Sequence, residues 1–67
     1  MFRNLEAEQS RYGLTNQAVA EKLGVSRVTY ENKKKNGNFT RPQIVLLMQL
    51  FNCSFDYLFE TDQEESA

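Results

Sequence analysis

Apolar positions along the chain fall into five short clusters with helical spacing, and each is bounded by a capping or turn residue. Phe2, Leu5 and Tyr12 share one face of a helix over about 2–12, and Gly13 supplies a left-handed stop. Leu14 packs the entry to a second helix over 16–23, which Thr15 caps and Gly24 ends; Ala18, Val19, Ala20 and Leu23 form its inner face. Val25 plugs a tight turn, and Ser26 caps a third helix over 27–35 with Tyr30 as its large core-side residue. The run Phe39-Thr40-Arg41-Pro42-Gln43-Ile44 then opens a fourth helix over 41–51. Thr40 and Gln43 have the spacing of a capping box, Phe39 and Ile44 that of a hydrophobic staple, and Pro42 is tolerated in the first turn. Ile44, Val45, Leu47, Met48 and Phe51 are its core side. Asn52 ends it, Cys53 turns inward, and Ser54 opens a short fifth helix over 54–58. The pattern predicts an all-α, compact five-helix domain.

Two features break the pattern. Glu8 sits on the apolar face between Leu5 and Tyr12, so it is either solvated at the edge or partly buried and paired with a cation. Lys33, Lys34 and Lys35 close the third helix, where cations suit the dipole. The expectation is that one of Lys33 and Lys34 points back toward the first helix and meets Glu8, while Lys35 stays on the surface.

Composition and charge add a boundary. At 67 residues and 40% apolar content, the sequence holds one small domain, assigned to 1–59, followed by an acidic, disordered tail at 60–67. The net charge of −1 is the sum of two unlike parts: residues 1–59 carry +3, and the tail carries −4. Between 15 and 41 there are six basic residues against two acidic ones, so the cations sit on the second and third helices. The tail reads as a solubilising end or as a competitor for that basic face. No run is apolar enough for a membrane span, and the first residues are too polar for a signal peptide. A single cysteine fits a reducing compartment, so the expected location is cytoplasmic.

The chemistry concentrates on Thr15–Gly37. Two helices crossing closely at Ala20 and Gly24, the second capped and basic, read as a helix-turn-helix whose second helix meets double-stranded DNA. Arg27 can donate twice to a guanine edge, Asn32 can pair with adenine, and Val28 and Thr29 can contact a thymine methyl. Asn16 and Gln17 at the start of the second helix suit a phosphate, or are simply polar residues at a solvated helix start. Lys35, Asn38 and Arg41 are further phosphate candidates. Phe51, Phe55, Tyr57 and Phe59 are more aromatics than four helices can hide, which predicts a homodimer through that end. With no histidine, no Gly-rich phosphate loop and no carboxylate cluster at metal-ligand spacing, neither an enzyme nor a metal, cofactor or small-molecule site is expected.

The stretch Leu14-Thr15-Asn16-Gln17-Ala18-Val19-Ala20-Glu21-Lys22-Leu23-Gly24-Val25-Ser26-Arg27-Val28-Thr29-Tyr30, with the closing Ser54-Phe55-Asp56-Tyr57-Leu58-Phe59, resembles the phage-repressor and Cro-type helix-turn-helix family, also called the XRE family. The resemblance covers residues 3–59. It implies a five-helix, lambda-repressor-like bundle that binds a near-palindromic operator as a dimer, with its third helix in the major groove, and mostly represses transcription. Carried over by position, it implies base reading by Arg27, Val28 and Asn32, with Thr29 beside them, and a phosphate-gripping amide at Asn16. The family often ties its first helix to its third with an Arg–Glu bridge; Gln9 and Lys34 stand near those positions here, and a reversed pairing of Glu8 with Lys33 or Lys34 is the expected replacement. The alternative is a protein-interaction module on the same fold, such as an antirepressor or antitoxin.

Overall fold

Four of the five described helices begin where a side-chain oxygen takes up a loose backbone N–H; the first follows Phe2 and has no side-chain cap. The computed structural model describes residues 2–60 and contains helices α1 (Arg3–Arg11), α2 (Asn16–Leu23), α3 (Arg27–Asn36), α4 (Arg41–Phe51) and α5 (Phe55–Leu58), with no strand among the described residues. Thr15, Ser26, Thr40 and Ser54 each accept from the backbone N–H three residues on, as a capping hydroxyl does. Thr40 and Gln43 form the reciprocal capping box, with the Gln43 side chain accepting from the Thr40 N–H at 2.9 Å. Thr40→Ala should therefore cost about 1 kcal/mol and lower the melting temperature by roughly 4–8 °C, which a circular dichroism melt would read directly. The tail assigned to 60–67 lies, beyond Glu60, outside the described residues.

α2 and α3 are the most closely associated pair of helices, joined by the three residues Gly24, Val25 and Ser26. Gly24 takes φ of 77°, which a side chain would resist, and its N–H and that of Val25 close α2 onto the Glu21 and Ala20 carbonyls. Leu5, Val19, Ala20, Tyr30, Leu47, Phe51 and Leu58 are fully buried at the centre, with Phe2 against them. A ring cluster closes one end: Phe2 meets Phe59 edge-on at 5.2 Å between centroids, and Phe39 meets Phe59 at 5.6 Å.

Two packing expectations change. Val45 is exposed, as is Leu46, because α4 buries the stripe of Leu47 and Phe51 and only half-buries Ile44 and Met48. Phe51, expected at a dimer surface, is fully buried; Tyr12 stacks on it at 5.6 Å and donates its hydroxyl to the Phe51 carbonyl. The four aromatics thus divide: Phe51 is core, Phe59 is half-buried among Phe2, Phe39 and Phe55, and Phe55 and Tyr57 are exposed.

Glu8 is buried, as one of the two readings required, but its partners are not the expected lysines. Its carboxylate accepts from Arg11 at 3.1 Å and from the Tyr57 hydroxyl at 3.0 Å, which ties α1 to α5. That bond holds the Tyr57 phenol above its ordinary range. Lys33 instead donates to the Asn38 carbonyl at 3.3 Å. Lys34 does point back to α1, but it meets Glu6 there. Among the described residues no buried side-chain nitrogen or oxygen lacks a partner.

Candidate nucleic-acid interface

The surface of α3 follows from its buried stripe. Tyr30 and Lys34, one turn apart, face the core, so Arg27, Val28, Thr29, Asn32 and Lys35 are left exposed. Val28, Asn32 and Lys35 fall at i, i+4 and i+7 on one solvent-facing line, and Arg27 stands beside it at the helix start. The structure therefore places all four base-reading candidates together on one exposed helix. Thr29 is partly committed, because the Ser26 hydroxyl donates to its oxygen at 2.8 Å.

Behind this face lies a polar chain joining three helices. The Tyr30 hydroxyl donates to Gln9 Oε1 at 2.8 Å, and burial pushes that phenol well above its ordinary range. Gln9 Nε2 donates in turn to Asn16 Oδ1 at 2.9 Å. The Lys34 ammonium reaches Glu6 Oε2 and Asn16 Oδ1, each at 2.8 Å, and Gln9 Oε1 at 3.4 Å, so its three donors all find acceptors. It also lies 4.9 Å from the centre of the Tyr30 ring, within range of a cation–π attraction. Asn16 Nδ2 then donates to Glu31 Oε2 at 2.9 Å, and Arg27 Nη1 donates to that same oxygen at 2.8 Å. The Asn16 amide, with Arg27 beside it, holds the Glu31 carboxyl below its ordinary range, so it is an anion at neutral pH.

This network gives Asn16 a structural role. Its amide oxygen accepts from Gln9 and Lys34 and one of its two N–H groups goes to Glu31, so its side chain braces α2 against α1 and α3 and leaves one N–H for a phosphate. Gln17, next to it, is exposed and donates to Glu21, at 3.1 Å along the same helix. Lys35, Asn38 and Arg41 are exposed at the end of α3, in the loop and at the start of α4.

Two residues of the network carry no role in the sequence reading. The Arg27–Glu31 bridge has i, i+4 helical spacing, a signal the sequence does carry. Glu6, half-exposed on α1, has none, since its partner lies two helices away.

Among the described residues there is no cluster of three or more groups able to hold a metal ion, and no helix long and apolar enough to cross a membrane. Comparison with protein-family models, with curated proteins and with solved structures finds no match to this chain.

Proposed function

We propose that the protein is a sequence-specific double-stranded DNA-binding transcriptional regulator of the phage-repressor and Cro type, acting as a repressor on a near-palindromic operator. One observation carries the reading. Asn16, at the start of α2, and Arg27, at the start of α3, reach one carboxylate oxygen of Glu31 in the second turn of α3, which ties α2 to α3 beside an exposed face of base-edge chemistry. That tie holds the exposed face of α3 at a fixed angle to α2, and the N-terminal backbone N–H groups of α2 suit a DNA phosphate. In this reading α3 enters the major groove. Arg27 takes a guanine edge, Asn32 an adenine, and Val28 and Thr29 thymine methyls. Gln17, Lys35, Asn38 and Arg41 grip phosphates.

A homodimer would set two α3 helices about 34 Å apart in successive major grooves. Phe55 and Tyr57 of α5, and Val45 and Leu46 of α4, are exposed apolar residues open to that pairing. The same exposed residues favour the second reading, a protein-interaction module on this fold, and salt dependence separates the two.

Selection from random duplex DNA tests the proposal, and a two-fold symmetric consensus is the expected result. Arg27→Ala should then lose about 1–3 kcal/mol per half-site and relax one base preference. Its melting temperature should hardly change, because an exposed i, i+4 ion pair contributes only about 0.3–0.5 kcal/mol. If Arg27→Ala binds the selected duplex with unchanged affinity and preference, the reading face is misassigned.

A further inference from the structure

We infer that Glu31 is a specificity-determining residue, which accepts a hydrogen bond from the groove-facing amino group of a cytosine next to the guanine taken by Arg27. The inference rests on the proposed DNA-binding function and names a base contact beyond it.

The geometry sets a carboxylate directly beside a guanidinium on the second turn of α3. Glu31 Oε2 takes both Arg27 and Asn16, and among the described residues no donor reaches Oε1. The Glu31 side chain is 35% exposed, enough to meet a partner from solvent. A carboxylate only accepts. In the major groove the available donors are the cytosine and adenine amino groups, whereas guanine N7 and O6 and thymine O4 are acceptors that an anion repels. Adenine offers N7 beside its amino group, so cytosine is the base that meets a carboxylate without a facing lone pair.

Arg27, 2.8 Å away, has the reverse chemistry and only donates. Together they present a donor and an acceptor side by side, which matches guanine and cytosine edges in one pair or in neighbouring pairs. The bridge also keeps Arg27 extended along its own helix before DNA arrives, so less side-chain freedom is lost on binding.

The test uses the duplex selected by the wild-type chain and the same duplex carrying N4-methylcytosine at each selected cytosine in turn. That base keeps its Watson–Crick hydrogen bond and replaces the groove-facing N–H with a methyl group. Wild-type protein should lose about five- to tenfold in affinity at one such cytosine per half-site, the low end of a base contact. Glu31→Ala should bind the plain and methylated duplexes alike at that position, since the group that senses the amino proton is gone. Glu31→Gln, whose amide donates as well as accepts, should admit adenine there in a fresh selection.

Thermal melts of both variants accompany the titrations, and if the alanine variant is unfolded the glutamine variant carries the comparison. Equal losses for the wild type and the variants at every methylated cytosine overturn the inference, as does an unchanged selection by Glu31→Gln. A wild-type chain that selects no sequence at all overturns the proposed function and this inference together. A wild type that selects a sequence but ignores every methylated cytosine overturns the inference alone.

Discussion

Raising the salt from about 50 to about 200 mM should weaken the complex with operator DNA by roughly 10²–10³-fold. The figure follows from the cations that the fold leaves outside. Lys34 is buried and Lys33 is turned to the Asn38 carbonyl, so on α3 and the start of α4 only Arg27, Lys35 and Arg41 are exposed cations. With Arg27 turned toward bases or shared with a phosphate, a dimer neutralises about four to six phosphates, each adding roughly 0.9 to the slope of log affinity against log salt. The sequence alone, with three adjacent lysines, suggests a steeper slope. An equilibrium titration by fluorescence anisotropy at four salt concentrations measures it. A slope near zero would favour an apolar protein interface and overturn DNA binding as the function.

Lys34→Ala is expected to destabilise the fold by about 2–3 kcal/mol, a drop of roughly 10–20 °C in melting temperature. Removing one member of a fully buried ion pair costs about 3–5 kcal/mol. The lower figure applies here because Lys34 is 5% exposed but Glu6 is 41% exposed and can turn to water. Two other acceptors keep a second donor after the change: Gln9 Oε1 retains the Tyr30 hydroxyl, and Asn16 Oδ1 retains Gln9 Nε2. The rest of the loss comes from the packing of the four-carbon stem and the contact with the Tyr30 ring. Lys34→Met keeps most of the stem and removes the charge, so the difference between the two variants separates packing from electrostatics. A drop below about 4 °C for Lys34→Ala, the size of a single 1 kcal/mol contribution, would show that the ammonium is in effect a solvated charge.

Helix positions were legible in the sequence because their signals are local. Ser or Thr caps at 15, 26, 40 and 54, the Thr40–Gln43 pair and the glycines each act within four residues, and the described helices start and stop within a residue or two of the expected places. The exposed set Arg27, Val28, Thr29 and Asn32 was legible for the same reason, since burying Tyr30 decides the opposite face of a ten-residue helix. Partnerships across helices were not. Whether Glu8 or Glu6 receives Lys34 depends on the rotation of α1 about its own axis by about half a turn, which no neighbouring residue encodes. Once Tyr57 on α5 and Arg11 satisfy Glu8, Lys34 is released to Glu6. The structural role of Asn16 has the same origin: its amide is claimed by residues from α1 and α3 that come together only after packing. Phe51 is buried on the core side of α4, as helical spacing predicts, and not at a dimer surface, because an aromatic excess gives a count and not an address; Tyr12 covers it from the far end of α1.

The contact between the Phe2 and Phe59 rings sets the order in which a nascent chain can finish folding. α2 and α3 lean on each other across a three-residue turn and can form while the chain is still being made. The ring of Phe2, ahead of α1, finds its edge-on partner only once Phe59, after α5, has been made. A chain that ends before Tyr57 takes the Phe59 ring away from Phe2 and Phe39 and leaves the Glu8–Tyr57 tie unmade. A truncated product of this kind exposes apolar rings to proteases, so loss of α5 would register first as a shortened lifetime of the chain.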